Sequence, residues 1–347
     1  MTAGRMSRSL DLDDVTCKHE DTRPLHFKKQ KARGMKKTLL DILICPVCLP
    51  EERKLNEKIE QQEGADIVSG HLTCDGCGKV YRIEDGIALL DAALFPSKAY
   101  RDNKYETPPV VSSYLWSHYS DLLREENASD AYRRWADLVR PHAGLCIDAG
   151  SAVGRFAFEM TRKCDFVIGV DNARAFVHHA RKLMRNRREA FSLKEEGHVA
   201  RVVEFNMPEE WDSEKVDFIV ADALALPFRS GSAFSLASLN LVDKVPAPMK
   251  HLEEANRVTR NEQAQFLLSD PFSWSEDVAP QANWLGGQQE GPYRSRGQEH
   301  IMKLLCGGNP HLSPSWEIKS HGHVWWKIRT HANHYEQIRS CYIKAVR

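Results

Sequence analysis

The sequence feature that most constrains the fold is a short apolar run that stops at an acidic residue and breaks into a glycine turn. It occupies residues 145–160, LCIDAGSAVGRFAFEM. The pattern predicts a strand, a tight turn and a helix start, in which Gly150 and Gly154 let a ligand approach the backbone closely. The dinucleotide fingerprint Gly-x-Gly-x-x-Gly is excluded, because Ala152 and Arg155 occupy its second and third glycine positions.

The same stretch fits another pattern, acid-x-Gly-x-x-x-Gly, which starts at Asp148. This pattern resembles motif I of class I S-adenosylmethionine (SAM) methyltransferases. A second apolar run ends at Asp171, where a carboxylate could accept both hydroxyls of a ribose. The resemblance implies a SAM site, with an ordinary strand-turn-helix unit of some other α/β protein as the alternative.

Charge and hydrophobicity limit what the chain can bind. Basic and acidic residues number 48 each, so no chain-wide basic excess indicates nucleic acid. No apolar run approaches the roughly 18 residues that span a bilayer, and the N-terminus lacks the apolar core of a signal peptide. We expect a soluble, cytoplasmic protein without a membrane partner, and the length of 347 residues allows two or more domains.

Residues 1–34 are polar and without periodicity, which predicts a disordered extension. The segment runs into the basic stretch HFKKQKARGMKK, interpreted as a solvated tail, with nucleic-acid binding as the alternative. Met35 would serve as a protein start in its own right. The residues before it would then be a leader or the result of a mis-assigned start codon.

Four of the nine cysteines fall in two tight pairs, Cys45-Pro-Val-Cys48 and Cys74-Asp-Gly-Cys77. Each pair can aim two thiolates at one metal, so together they predict a tetrahedral four-sulfur Zn²⁺ site. A redox role is the alternative, but a module of about 50 residues needs such a staple to fold. A closed four-sulfur site has no open position for catalysis, so we expect the metal to be structural.

The wording LLDILICPVC and LTCDGCGKVYRIEDGIALL resembles the Trm112/YbaR family of small zinc-ribbon proteins. The resemblance implies a zinc ribbon over residues 35–91. Such modules occur free, as activating partners of methyltransferases, or fused to them, and a ribbon also precedes the SAM domain in some ribosomal RNA guanine methyltransferases. Between the cysteine pairs, the charged stretch EERKLNEKIEQQEGAD predicts a loop or a short helix.

Residues 92–143 are interpreted as a linker with lid helices. Pro108-Pro109 prevents a continuous helix there. The following residues lie on one helical face: Val111, Tyr114, Leu115 and His118. We expect this helix to pack across the SAM pocket, with plain core packing as the alternative. Residues 172–186 predict a second helix with a basic outer face, either a solvated surface or an RNA platform.

Apolar runs and helical segments alternate to the end of the chain. The run at 216–221 ends at Asp222, and the run at 234–242 places Asn240 and Asp243 at its carboxyl end, the sheet edge where ligands bind. The strand QFLLSDPF leads to Trp274, and two final runs, WEIKSHGHVWWKIRT and QIRSCYIKAVR, predict an antiparallel pair. The expected fold over residues 144–347 is therefore α/β and Rossmann-like, a mostly parallel seven-stranded sheet with an antiparallel C-terminal hairpin.

Six phrases in order resemble the methyltransferase domain associated with ovothiol biosynthesis, the 4-mercaptohistidine N1-methyltransferases. They are KYETPPVVSSYLWSHYSD, DAGSAVGRFAFEM, LNLVDKV, SDPFSW, NWLGG and VWWKIRTHANHYEQ, and the similarity runs from about Tyr105 to the C-terminus. Together with the SAM motif, this implies the following cofactor-binding residues: Asp148, Gly150, Ala152, Gly154, Asp171, Asp222, Ala223 and Asn240.

The same resemblance implies an acceptor pocket, and no catalytic residue is identified in it. The candidate substrate residues are Tyr114, His118, Asp243, Asp270, Trp274, Trp284, Trp325 and Trp326. This chain has Ser151 where the family pattern has Cys and Lys244 where it has Arg. Trp325, Trp326 and His331 also depart from the pattern.

Three hypotheses follow. The first is a SAM-dependent methyltransferase that N-methylates a small histidine-like or thiol-imidazole acceptor. The second is a zinc-ribbon RNA methyltransferase, for which a basic stripe should join the ribbon to the pocket. The third is a SAM-fold scaffold that docks a protein partner through the ribbon and has a blocked pocket.

Overall fold

The structure, a computed structural model, describes residues 34–92 and 103–347. All but the last residue of the predicted extension, 1–34, and part of the predicted linker, 92–143, lie outside the described residues. Within the described ranges, no helix has both the length and the apolar character that crossing a membrane requires.

The N-terminal module is an antiparallel sheet that carries the two cysteine pairs. Its strands are β1 (Met35–Lys36), β2 (Leu55–Glu63), β3 (Asp66–Cys74), β4 (Val80–Glu84) and β5 (Ile87–Leu90). β3 pairs with β1, β2 and β4, and β4 pairs with β5. The prediction of a loop or short helix between the cysteine pairs is wrong, because that stretch forms β2. Pairing with β3 along its whole length overrides the helix propensity of its Glu and Lys residues.

Within the described residues, the rest of the chain contributes nine further strands. They are β6 (Leu145–Ala149), β7 (Phe166–Asp171), β8 (Arg188–Glu196), β9 (Val199–Asn206), β10 (Val216–Ala221), β11 (Ala233–Leu239), β12 (Gln265–Asp270), β13 (Glu317–His331) and β14 (His334–Val346). Seven of these stand in the order β10-β7-β6-β11-β12-β14-β13. The first five are parallel, and β14 is antiparallel to both of its neighbours. The predicted α/β fold with an antiparallel C-terminal hairpin is confirmed, whereas the separate β8-β9 hairpin was not predicted.

The described α-helices cover the faces of this sheet. They are α1 (Pro108–Tyr119), α2 (Ala131–Asp137), α3 (Arg155–Met160), α4 (Arg174–Asn186), α5 (Pro248–Val258) and α6 (Gly297–Lys303). Two prolines open α1, where their missing N–H groups would have no intrahelical acceptor. Val111, Leu115 and His118 of α1 are buried, as the helical spacing predicts, and the helix packs against β13.

The basic outer face predicted for residues 172–186 is only partly a surface. Arg181 is completely buried and forms an ion pair with Asp217 of β10. Arg174, at the start of α4, pairs with Glu84 of β4 at 2.6 Å. Two cations of this helix are therefore neutralised within the chain, one by β10 and one by β4 of the N-terminal module.

The two modules share one continuous sheet. β5 pairs in parallel with β10, with Leu89 opposite Val220 and Leu90 opposite Ala221. Near the opposite end of β10, the backbone N–H of Lys36 donates to the Asp217 carboxylate at 2.7 Å. Nothing in the sequence predicts this junction, because it joins backbone edges of strands far apart in the chain.

Candidate cofactor cavity and metal centre

The turn after β6 shapes one wall of a cavity at the carboxyl edge of the sheet. The N–H groups of Gly150 and Ser151 both donate to the Val170 carbonyl, at 2.8 and 2.9 Å, which fixes the turn against the end of β7. Gly150 has a φ of +77°, and a Cβ there would lie 3.0 Å from a methyl carbon of Leu241. Glycine relieves both the backbone strain and the crowding, so the turn has the small residue that a close backbone approach requires.

Gly154 supports the same turn differently. It has a φ of +89° and caps α3, and a Cβ there would lie 2.7 Å from the ring of Phe218 on β10. The residue is needed for close packing of α3 against the sheet. It is not among the residues that line the cavity, so the predicted cofactor contact at Gly154 has no counterpart in the lining.

Asp148 lies in the cavity wall with one carboxylate oxygen unsatisfied. It is 1% exposed, and its Oδ2 atom has no hydrogen bond to any described residue. Burial, and then the charge of Asp171, raises the pKa of Asp148 to about 8. A buried carboxylate with an unsatisfied oxygen suits a cationic ligand, and SAM carries a sulfonium and an ammonium group. The residues present therefore fit this cofactor.

Asp171 at the end of β7 also lines the cavity and holds the turn. One carboxylate oxygen accepts the Ala152 N–H at 2.8 Å, and the other accepts the Ala173 N–H at 2.9 Å. Burial raises the pKa of Asp171 to about 6. Each oxygen keeps a further lone pair, so the carboxylate can accept ribose hydroxyls while it holds the backbone.

Asp222, Ala223 and Asn240 complete the part of the predicted cofactor set that lines the cavity. Asp222 follows β10, and its Oδ1 accepts the Leu224 N–H at 2.8 Å. Asn240 follows β11 with a φ of +55°, and its N–H donates to the Ser269 carbonyl at 2.6 Å. Except for Gly154, all residues of the predicted cofactor set meet at one cavity.

A second wall of the cavity is aromatic. The ring of Tyr114 lies 4.7 Å from Phe176, 5.8 Å from Tyr105 and 6.2 Å from Trp326, measured between ring centroids. The cavity has a volume of about 930 Å³, part of it open to solvent. These rings, which we call the aromatic wall, offer an apolar face to a small flat molecule and keep water from it.

Of the predicted substrate residues, Tyr114 and Trp326 line the cavity. His118 lies behind the lining and is hydrogen-bonded to Tyr132. Trp325 is 42% exposed on the other side of β13 from Trp326, because side chains alternate along a strand. The prediction that both tryptophans form walls of the pocket is therefore wrong for Trp325.

The remaining predicted substrate residues lie outside the lining. Asp243 and Asp270 are buried, and the Asp243 N–H points at the Asp270 carboxylate at 3.4 Å. Lys244, whose Nζ lies 3.0 Å from Asp243, reaches the cavity in their place. Trp274 and Trp284 stack on each other with ring centroids 6.4 Å apart and do not line the cavity.

Several lining residues were absent from the predicted set. Among them are Tyr105, Tyr132, Phe176 and Lys244. The three aromatic residues come from separate segments, the turn before α1, then α2 and α4, and no spacing in the sequence connects them. Lys244 could have been noticed in the sequence, because it stands where the ovothiol-type domains have Arg.

The four predicted metal ligands converge. The sulfur atoms of Cys45 and Cys77 lie 3.8 Å apart, those of Cys48 and Cys74 lie 3.7 Å apart, and all four lie within 4.8 Å of one another. Thiolates about 2.3 Å from a tetrahedral Zn²⁺ stand roughly 3.8 Å from each other, so the cluster fits this ion.

Comparison with known proteins agrees with this geometry. Residues 36–86 match the family model of the Trm112p-like proteins, and residues 147–266 match a model of a methyltransferase domain. No curated protein sequence matches the chain.

Two solved structures illustrate the structural likeness. A SAM-dependent methyltransferase from Methanosarcina mazei is 16% identical and covers 60% of this chain and 94% of its own, with a TM-score of 0.39. A chain from a complex of the Haloferax volcanii Trm112 methyltransferase activator is 12% identical and covers 72% of this chain and 95% of its own, with a TM-score of 0.38. Structural similarity at this sequence identity indicates the fold and not the methyl acceptor or a protein partner. The family models, the strand order and the cysteine cluster lead to one conclusion. The chain consists of a Trm112-like region, suited to zinc, followed by a class I, SAM-dependent methyltransferase domain.

Proposed function

We propose that the protein transfers a methyl group from SAM to a nitrogen of a small histidine-like or thiol-imidazole acceptor. The observation that carries this proposal is the aromatic wall, which lines the same cavity as the predicted cofactor acids. A small heterocycle can lie flat against such a wall. The ovothiol-type wording from Tyr105 onward supports the same acceptor class. We assign residues 35–91 to the ribbon, 92–143 to the linker and lid, and 144–347 to the methyltransferase domain.

The residues of the cavity need to align the acceptor and exclude water. Bound SAM would supply an electrophilic methyl group on its sulfonium sulfur. An imidazole with a pKa near 6.5 already carries a free lone pair at neutral pH, so orientation by hydrogen bonds is sufficient. Trp326 and Tyr114 of α1 line the cavity and would keep water away from the reacting atoms.

An RNA acceptor would require unpaired cations between the ribbon and the cavity. On α4, Arg174 pairs with Glu84, Lys182 pairs with Glu189 at 2.7 Å, and Arg181 is buried. Paired cations attract phosphate weakly, so these contacts favour a small acceptor over RNA.

The scaffold hypothesis requires a blocked pocket. The cavity is open at one side, and Asp148 is held in its wall with an oxygen that no described residue satisfies. Both observations favour a ligand-binding enzyme over a protein-docking scaffold.

Transfer of a labelled methyl group tests the proposal. The purified full chain is incubated with methyl-labelled SAM and either the small-molecule fraction of a cell extract or total RNA. We expect label in a small heterocyclic product and none in RNA, and loss of labelling in Asp171→Ala with its fold retained. Label found only in RNA would overturn the proposal, and micromolar SAM binding by calorimetry would exclude the scaffold.

A further inference from the structure

Tyr132 and His118 form a buried pair at the cavity. Tyr132 on α2 lines the cavity, whereas His118 on α1 lies behind it and is 2% exposed. The Tyr132 hydroxyl oxygen lies 2.6 Å from His118 Nε2, and the two ring centroids are 3.9 Å apart. No predicted cofactor contact uses either side chain.

The surroundings of His118 decide which way the hydrogen bond runs. Its second nitrogen, Nδ1, is buried and has no hydrogen bond to any described residue. A proton on Nδ1 would leave a buried N–H donor without an acceptor, which is rarer and less tolerable than an acceptor left unfilled. The proton therefore belongs on Nε2, from which it is donated to the Tyr132 oxygen. The hydroxyl hydrogen of Tyr132 is then not used by His118 and is available to a molecule in the cavity that Tyr132 lines.

Both members of the pair are neutral at physiological pH. Burial first, and the Arg155 guanidinium second, hold the pKa of His118 well below its usual value. Burial first, and the charge of Asp148 second, raise the pKa of Tyr132 well above its usual value. The pair can donate a hydrogen bond to an acceptor molecule but cannot remove a proton from it.

We propose that Tyr132 orients the methyl acceptor by donating a hydrogen bond from its hydroxyl, and that His118 is a positioning residue that turns this hydroxyl toward the cavity. The inference rests on the proposed function, because it places a small acceptor beside Tyr132. The hydrogen bond suits an acceptor that already carries a lone pair at neutral pH, because the pair itself takes no proton from it. The hydrogen bond and the methyl transfer use separate lone pairs, which a thiolate beside an imidazole nitrogen provides and a protonated amine does not.

The position of the His118 proton can be read without knowing the acceptor. The full chain, with its 15 histidines, is labelled with ¹⁵N-histidine and bound to S-adenosylhomocysteine (SAH). The His118 signals are those missing from the spectrum of His118→Gln. We expect the proton on Nε2, and a proton on Nδ1 would overturn the assignment.

Matched variants test the role in transfer. Tyr132→Phe removes only the hydroxyl, His118→Leu removes the donor behind it, and His118→Gln places an amide N–H where Nε2 stands. Apparent kcat and KM are measured with labelled SAM over a dilution series of the small-molecule fraction. We expect Tyr132→Phe and His118→Leu to lower kcat by about tenfold or more, and His118→Gln to recover most of the rate.

Melting temperature and SAH affinity separate this role from a structural one. A merely structural pair would lower both quantities in all three variants alike. Full turnover by Tyr132→Phe, or equal loss in His118→Gln and His118→Leu, would overturn the proposal. If the wild type labels no small molecule while the Nε2 proton is present, the proposed function fails and the geometry of the pair stands.

Discussion

At the residue scale, the main feature of the cavity is a set of buried carboxyl groups, whose ionisation is unfavourable until a cationic ligand binds. Asp148 is the extreme case, since it is buried and one of its oxygens has no partner among the described residues. A bound ammonium or sulfonium would offset the cost of ionising it. Ligand binding and the loss of a proton from this carboxyl group should therefore be coupled.

Affinity for SAH is expected to increase as the pH rises from 6.5 to 8.5. The ammonium of the ligand binds best to ionised Asp148, whose pKa in the free protein is about 8. We expect a gain of about tenfold by calorimetry, and a nearly flat profile for Asp148→Asn. A slope that persists in Asp148→Asn would assign the pH dependence to another group.

The stability of the ligand-free protein should change in the opposite direction. Folding raises the pKa of Asp148, so its contribution to stability is complete below the pKa of an unfolded aspartate and is lost as the pH rises through about 8. The melting temperature without ligand is expected to fall between pH 6.5 and 8.5, and SAH should restore it.

Some residues of the cavity can be predicted from the sequence and others cannot. Asp148, Asp171 and Asp222 could be predicted at one sheet edge because each ends or follows an apolar run. Tyr132 could not, because its place beside His118 depends on how α2 packs against α1. Trp325 was misplaced because the pair of tryptophans does not reveal which one faces inward.

At the scale of elements, the ribbon is fastened to the sheet at more than one point. β5 pairs with the end of β10, while the carboxylate of Asp217 near its start accepts the Lys36 N–H and pairs with Arg181. All three residues are buried or nearly so. The interface therefore contains an ion pair that depends on its hydrogen bonds.

Breaking this ion pair should destabilise the whole protein. Asp217→Ala leaves Arg181 as a buried charge without its carboxylate, for a loss of roughly 3–5 kcal/mol in the free energy of unfolding. Glu204→Ala, which breaks the exposed pair with Arg188 on the β8-β9 hairpin, is the control and should change it by less than about 1 kcal/mol. Denaturant titration measures both, and equal losses would contradict the prediction.

Two elements show where sequence patterns mislead. In the β8-β9 hairpin, burial alternates from Glu189 to Leu193, but the sequence shows only two apolar residues of that alternation, Phe191 and Leu193, because the third buried residue is Glu189. β2 has no such signal, because an edge strand exposes charge along most of its length. Its pairing with β3 depends on tertiary structure and cannot be predicted from the local composition.

At the scale of the whole molecule, the metal site and the SAM cavity belong to one sheet. β5 of the ribbon lies beside the end of β10, immediately before Asp222 and Ala223 in the cavity wall. Loss of metal should therefore loosen both modules together rather than the ribbon alone.

Removal of Zn²⁺ is expected to lower the melting temperature by about 10 °C or more, in a single cooperative transition. Cys77→Ser should have the same effect, because it removes one of the four ligands. Cys306→Ser, an exposed cysteine outside the cluster, is the matched control and should melt like the wild type. Two separate transitions after chelation would show that the modules unfold independently.

The parallel pairing of β5 with β10 also bears on how the chain is made. The ribbon is synthesised before the sheet that it borders, and N-terminal units generally fold first during synthesis. When β10 leaves the ribosome, a finished strand is already present to receive its outer edge. The carboxyl end of β10, Val220 and Ala221, is then covered by β5 and closed to pairing with other chains.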